Sequence, residues 1–227
     1  MRYEILHADA FPVVKCELMQ GESLKAESDA MVSMSATLDV SGSMGDSGIL
    51  GGLARRFLTG ESFFFQKIVA TRGPGSVLLG HPAPGGIIDV TLDGTYGLRV
   101  QKNGFLASTE NIQVDTTVQD LMQGLFSKEG FFVLNIRGIG TVFLSSYGAI
   151  HAIDLDDGEE VIIDNGHLVA WPDYMQYTIE KASNGWISSI MSGECLVCRF
   201  RGPGVVLIQT RNPESFREWI KAMTSGS

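Results

Sequence analysis

The stretch "RGPG" at 72–75 returns as "RGIG" at 137–140 and again as "RGPG" at 201–204, at intervals of 65 and then 64 residues. Within one copy the chemistry is that of a turn. In Gly73-Pro74-Gly75-Ser76 proline sets φ for the second turn position, and the glycine after it tolerates positive φ, as a type II turn requires. Apolar runs lie on both sides ("SVLLG", "TVFLS" and "VVLIQ" follow), so each copy reads as the tip of a hairpin.

Two further phrases recur in step with the turn. Ahead of it come "FLTGESFFF" (57–65), "LFSKEGFFV" (125–133) and "IMSGECLVC" (190–198), each with a hydroxyl residue, one spacer and a Glu before an apolar strand. Further upstream lie 13–34, 87–108 and 149–171, again in order. Three ordered phrases recurring together mean that a whole supersecondary unit has been multiplied. The chain is therefore one compact β-repeat, 1–227, with units at 11–82, 85–147 and 148–211 and a closing helix at 213–224. The interval from the shared Glu to the shared Arg is 11, 8 and 7 residues in the three units, so a bulge or a longer first hairpin must absorb the difference.

The elements are mostly strands. Cys198 and Phe200 alternate with Val197 and Arg199, the period-two pattern of a half-buried strand, and Leu134 and Ile136 repeat it. Asn103-Gly104 and Asn165-Gly166 read as hairpin dipeptides. Residues 48–58 and 116–126 carry helical spacing. The last helix has Asn212 as cap, Pro213 at its first position and an apolar stripe of Phe216, Trp219, Ile220 and Met223, expected to close onto its own chain. The fold class is mainly β: tandem units like a double-stranded β-helix, with short linker helices.

Composition limits function. A net charge of −9 repels phosphate backbones, and the basic residues are scattered, so nucleic acid is excluded as a partner. Three cysteines are too few for a disulfide framework. No apolar run approaches the roughly 18 residues of a spanning helix, and "MRYEILHADAF" has the pattern of neither a signal peptide nor a presequence, so a cytoplasmic location is expected.

Candidate chemistry is sparse. "GDSG" (45–48) lacks the base a serine nucleophile needs. The glycine-rich 41–52 has no Gly-Lys-Ser/Thr ending. Cys195-x-x-Cys198 lies on a strand that sends the two side chains to opposite faces, which favours buried thiols over a zinc site. The four histidines fall at non-equivalent places, against a metalloenzyme. No cofactor and no catalytic residue is expected. The recurring Glu61, Glu129 and Glu194 and the recurring Arg72, Arg137 and Arg201 form the one repeated polar set. The three carboxylates either face a common axis and bind a cation, or each accepts backbone N–H bonds at a strand or turn end or pairs with an Arg of the next unit. Phe57, Phe63, Phe64 and Phe65 make an uncommonly apolar segment, expected as a subunit contact or membrane-facing patch.

The phrases "LTGESFFF", "VFLSSYGAI", "DNGHLVAW" and "GPGVVLIQTRNPESFREW" resemble the altered-inheritance-of-mitochondria family, from about Tyr3 to Trp219. The resemblance implies a β-rich fold similar to the double-stranded β-helix and to the tryptophan RNA-binding attenuation protein, and assembly as a trimer. Mitochondrial members are associated with inner-membrane organisation and respiratory function. The family supplies no catalytic residues, so none are carried over, and RNA binding does not follow from the fold. The expectation is a non-enzymatic homo-oligomeric scaffold or interaction protein of bacterial cytoplasmic type, at a membrane surface. The alternative is a small-molecule or cation binding protein, or an enzyme, with its site between units or subunits.

Overall fold

The computed structural model describes residues 1–43, 65–118, 132–181 and 196–224. β1 (Arg2–Leu6) leads in. The first unit holds β2 (Val13–Leu18), β3 (Ser23–Glu27), β4 (Met31–Met34), β5 (Asp39–Ser43), β6 (Phe65–Val69) and β7 (Gly75–Leu79). The second holds β8 (Ile87–Asp93), β9 (Leu98–Gln101), β10 (Phe105–Thr109), β11 (Ile112–Val118) and the long β12 (Phe132–Ser145). The third holds β13 (Ile150–Leu155), β14 (Glu160–Asp164), β15 (Leu168–Pro172), β16 (Gln176–Lys181), β17 (Leu196–Arg201) and β18 (Gly204–Gln209). Helix α1 (Pro213–Thr224) ends the described chain. The protein is mainly β.

One antiparallel pairing plan is written three times. In each unit the last strand lies between the first and the third: β7 between β2 and β4, the end of β12 between β8 and β10, β18 between β13 and β15. The fifth strand lies between the second and the fourth: β6 between β3 and β5, the start of β12 between β9 and β11, β17 between β14 and β16. Even the irregularities agree, since the third strand slips register between Met31 and Ser33, between Phe105 and Ala107, and between Leu168 and Ala170. Each unit is thus two small sheets face to face.

This plan corrects the hairpin reading of the repeated turn. The strands before and after RG-x-G do not pair with each other. The turn carries the chain from one sheet of the unit to the other, and in the second unit it is continuous strand within β12. Asn103-Gly104 and Asn165-Gly166 likewise lie in short 3-10 turns, Lys102–Gly104 and Asn165–His167, that link the two sheets. A glycine turn between apolar runs looks the same in sequence whether its flanks pair together or elsewhere. Of the helical linkers, 116–118 belong to β11, and the rest of 116–126 and all of 48–58 lie outside the described residues.

Units are joined edge to edge. β10 of the second unit pairs with β3 of the first, and β15 of the third with β9 of the second. The cores follow these joints. Leu106, Ala107 and Phe143 of the second unit pack in the core of the first, which is built on Val14, Leu24, Ile68 and Leu79. Val169 and Ala170 of the third unit, and Phe65 of the first, pack in the core of the second. No unit therefore closes its apolar face alone, as repeat architectures require.

Cys198 and Phe200 are buried, as the strand alternation predicts, while Arg201 is exposed. Burial pushes the thiols of Cys16 and Cys198 up to about 12, so both stay protonated and inert at neutral pH.

Candidate functional site

The recurring polar set does not assemble as a unit among the described residues. Glu61, Glu129 and Glu194 lie outside them. Arg72 serves its own unit: Nη1 donates to Asp39 at 2.6 Å, and Nε and Nη2 donate to the Ala36 and Leu38 carbonyls. Its guanidinium, with the Thr71 hydroxyl, holds the Asp39 carboxyl below its ordinary range, the hydroxyl contributing most. Arg137 bridges two units, donating from Nε and Nη2 to Asp173 Oδ2 at 3.0 and 2.8 Å. Arg201 is exposed on β17. Three arginines alike in sequence therefore have three different surroundings.

The uneven spacing explains part of this. Pairing registers make Ile68, Ile136 and Phe200 equivalent, each opposite Leu24, Leu98 or Val161. Arg137 and Arg201 follow at once, whereas Val69, Ala70 and Thr71 intervene before Arg72.

Phe65 corrects the expected contact patch. It is buried in β6, with its ring edge-on to Phe105 of the second unit at 5.3 Å. β6 is an inner strand, so its apolar side chains are claimed by the joint. Phe57, Phe63 and Phe64 lie outside the described residues.

A cleft opens between the second and third units, about 480 Å3 in volume, with Arg99 on one side and Asp173, Tyr174, Gln176, Tyr177 and Ile179 on the other. The β9–β15 joint creates it by placing Arg99 opposite Trp171, two residues before Asp173. Asp173 Oδ1 accepts from Gly97 N at 3.0 Å while Oδ2 takes Arg137, so this carboxylate pins the rim. The Arg99 guanidinium carbon stands 5.2 Å from the Tyr177 ring centroid. Tyr177 stacks on Phe200 at 5.4 Å, and both meet Trp171 edge-on at 5.3 Å. The result is a cation held on an aromatic platform, a surface for planar or anionic groups. Nothing in the cleft pairs a nucleophile with a base. Sequence reading missed Arg99, Asp173 and Tyr177; the repeat register was the one signal that could bring them together.

The unit 1–2 joint carries a half-buried carboxylate, Glu27. Burial, reinforced by Asp29, raises Glu27 to about 7, with Lys102 acting against it. Its Oε2 has no hydrogen-bond partner among the described residues. A folded-state value raised above the unfolded 4.5 gives stability that is present below about 4.5 and lost as pH rises through about 7. Wild type is therefore expected to lose Tm relative to Glu27→Gln between about pH 5 and pH 8. Parallel Tm-against-pH curves for the two proteins would refute the assignment.

Helix α1 presents the other conspicuous surface. Asn212 Oδ1 accepts from Glu214 N at 2.9 Å and Ser215 N at 3.4 Å, the expected cap. Among the described residues nothing buries the stripe, contrary to the expectation that it closes onto its own chain. Phe216, Trp219, Ile220 and Met223 are all exposed, Trp219 by 56%, and the ring contact to the β body is Tyr147 with Phe216 at 5.6 Å. Periodicity identifies an apolar face but not what that face meets.

Among the described residues no group of three His, Cys, Asp or Glu stands close enough to hold a metal, and no helix is long and apolar enough to cross a membrane. Triplicated two-sheet units joined edge to edge define a β-repeat protein. The chain matches the family described as mitochondrial biogenesis AIM24 over residues 3–211, and it belongs to that family. It is 32% identical to an uncharacterized protein of Streptococcus pyogenes serotype M6, M6_Spy0233, covering 97% of this chain and 90% of that one. Its fold is similar to the crystal structure of protein SPYM3_0169 from Streptococcus pyogenes, with a TM-score of 0.80 and 31% identity over 98% and 99% of the two chains.

Proposed function

We propose that this protein is a non-enzymatic, oligomeric interaction scaffold of the cytoplasm, which uses α1 to dock on a membrane surface. The observation that carries the reading is the apolar stripe Phe216/Trp219/Ile220/Met223, left exposed by a helix that is capped and formed. An isolated helix of this length is marginal in water, and a stripe that the described residues leave exposed gains from an external apolar surface. Arg217 and Lys221 interleave with Glu214 and Glu218, so zwitterionic rather than strongly anionic lipid suits it. The test is flotation with phosphatidylcholine vesicles. Wild type is expected to float, and Trp219→Glu to bind roughly ten- to a hundred-fold less, the worth of one buried large apolar side chain at about 1.5–3 kcal/mol. Equal flotation of the two proteins, or none for wild type, overturns the docking role. A single-chain mass by light scattering at micromolar concentration overturns the oligomer.

A second reading rests on the cleft. Arg99 over Tyr177, between two units, suits a small planar anion, which makes the protein a small-molecule binder. Ligand-dependent Tm shifts abolished by Arg99→Ala distinguish this from the scaffold.

A further inference from the structure

The cleft between the second and third units holds a cation that the described residues leave without an anion. Arg72, Arg137 and Arg199 each meet a carboxylate within 3.0 Å, on Asp39, Asp173 and Glu180. Among the described residues the Arg99 guanidinium meets no hydrogen-bond acceptor and no carboxylate, and its contact is the Tyr177 ring at 5.2 Å. Asp173 lines the same cleft, but both its oxygens are taken: Oδ1 by Gly97 N at 3.0 Å, and Oδ2 by Arg137 Nε and Nη2. Asp173 N in turn donates to the Gly97 carbonyl at 2.9 Å, so this carboxylate is held from two elements.

The repeat contains its own comparison. The joint registers Ala107↔Ala26 and Ala170↔Val100 make Lys25 the counterpart of Arg99 and Glu110 the counterpart of Asp173. Pairing opposite Ile136 and Phe200 makes Val114 the counterpart of Tyr177. Glu110 and Asp173 play the same part, each held by a cation of the preceding unit, Lys67 or Arg137. The second cation is treated differently. In the first joint Lys25 Nζ donates to the Ile112 carbonyl at 2.9 Å, on the same strand as Val114. In the second joint Arg99 ends on an aromatic ring, which attracts the guanidinium through its π-face and leaves the N–H donors without an oxygen. An unanswered cation is therefore not something the joint requires.

The other walls suit a flat apolar body. Tyr174 is steadied by an edge-on contact with Tyr96 at 6.1 Å yet is 59% exposed, and Ile179 packs on the core of the third unit. A volume of about 480 Å3 lies within the range of small-ligand sites. One unanswered cation beside a pinned carboxylate, on a chain of net charge −9, favours a single negative charge over a polyphosphate. A guanidinium fork matches the two oxygens of a carboxylate with two parallel N–H bonds. We propose that the cleft binds an aromatic monocarboxylate, its carboxylate on the Arg99 fork and its ring against Tyr174 and Ile179. This rests on the small-molecule reading above and names the class of ligand.

The test is titration calorimetry on the full chain with four probes: 2-naphthoate, the neutral 2-naphthylmethanol, the non-aromatic cyclohexanecarboxylate and uridine 5′-monophosphate. Wild type is expected to bind 2-naphthoate, and to bind the alcohol at least about ten-fold more weakly. Arg99→Ala is expected to weaken 2-naphthoate by about ten- to a hundred-fold, the worth of a hydrogen bond to a charged group. Arg99→Lys keeps the charge but not the fork, and is expected to fall between the two; it carries the test if Arg99→Ala does not fold. Trp219→Glu is expected to bind 2-naphthoate as wild type does. Loss there with retention in Arg99→Ala places the probe on the α1 stripe and overturns the cleft as its site. Equal binding of the acid and the alcohol, or of 2-naphthoate to wild type and Arg99→Lys, overturns Arg99 as the receptor. Cyclohexanecarboxylate binding as tightly as 2-naphthoate overturns the aromatic requirement. Arg99-dependent binding of the nucleotide with none of 2-naphthoate overturns the carboxylate class and leaves the small-molecule reading standing. No binding of any probe at millimolar concentration overturns both.

Discussion

Replacing Trp171 by alanine is expected to cost about 3–5 kcal/mol of folding stability, the range for removing a large aromatic side chain from a packed core. Trp171 is fully buried on β15, opposite Arg99 across the unit 2–3 joint. Its ring meets Phe200 and Tyr177 edge-on, each at 5.3 Å, so its loss opens a cavity under the cleft and between two units at once. Most of its neighbours are strand residues held by pairing on both sides, which limits relaxation into the void. Urea unfolding followed by far-UV circular dichroism measures the cost. The m-value also decides a second matter. Because the cores run through the joints, the units are expected to unfold together, and the variant should keep a single transition with unchanged m. A cost under about 1 kcal/mol, or a transition split in two, would show that the third unit stands on its own core.

That cooperativity is where sequence and structure part company. The multiplication of a unit was readable because three phrases recur in order at intervals of 65 and 64 residues, and the α1 start was readable because Asn212-Pro213 is a local signal. What was not readable is which strand takes which partner. The residues around Gly138 would look the same in a hairpin and in the sheet-to-sheet crossing that β12 makes. Phe65 looked like a contact patch because apolar clustering is local information, while the Phe105 ring that covers it is brought in by the β10–β3 joint. The cleft was hidden for the same reason: Arg99 and Asp173 belong to different units, and only the joint register puts them side by side. Conversely, the α1 stripe was legible as a face, but its exposure depends on the absence of a cover, which no pattern within the helix encodes.

The repeated glycine offers the other large effect, and it should differ among copies that read alike. Gly73, Gly138 and Gly202 are the first glycines of the three RG-x-G turns. At Gly138 φ is +124°, a region L side chains rarely adopt, and an added Cβ would lie 2.4 Å from the Asn111 carbonyl oxygen and 3.3 Å from the Ile112 Cα. Both are backbone atoms of the β11 hairpin end, and Ile112 is itself paired with Gly138, so neither can move without breaking the ladder. At Gly202 the same Cβ would meet the Asp156 carbonyl oxygen at 2.2 Å. At Gly73 φ is +145°, but the nearest atom is Thr37 Cγ2 at 3.8 Å, an ordinary contact. The extra residues Val69, Ala70 and Thr71 before Arg72 accompany this looser approach. Gly73→Ala therefore carries backbone strain alone, about 1–3 kcal/mol, whereas Gly138→Ala adds a clash with fixed backbone and should exceed it by about 2 kcal/mol or more. Because the two substitutions are chemically identical and share the strained φ, the difference between their denaturation midpoints isolates the close approach of β12 to β11. Equal losses for the two would mean that strain alone matters, and that the crossing from sheet to sheet is no tighter in the second unit than in the first.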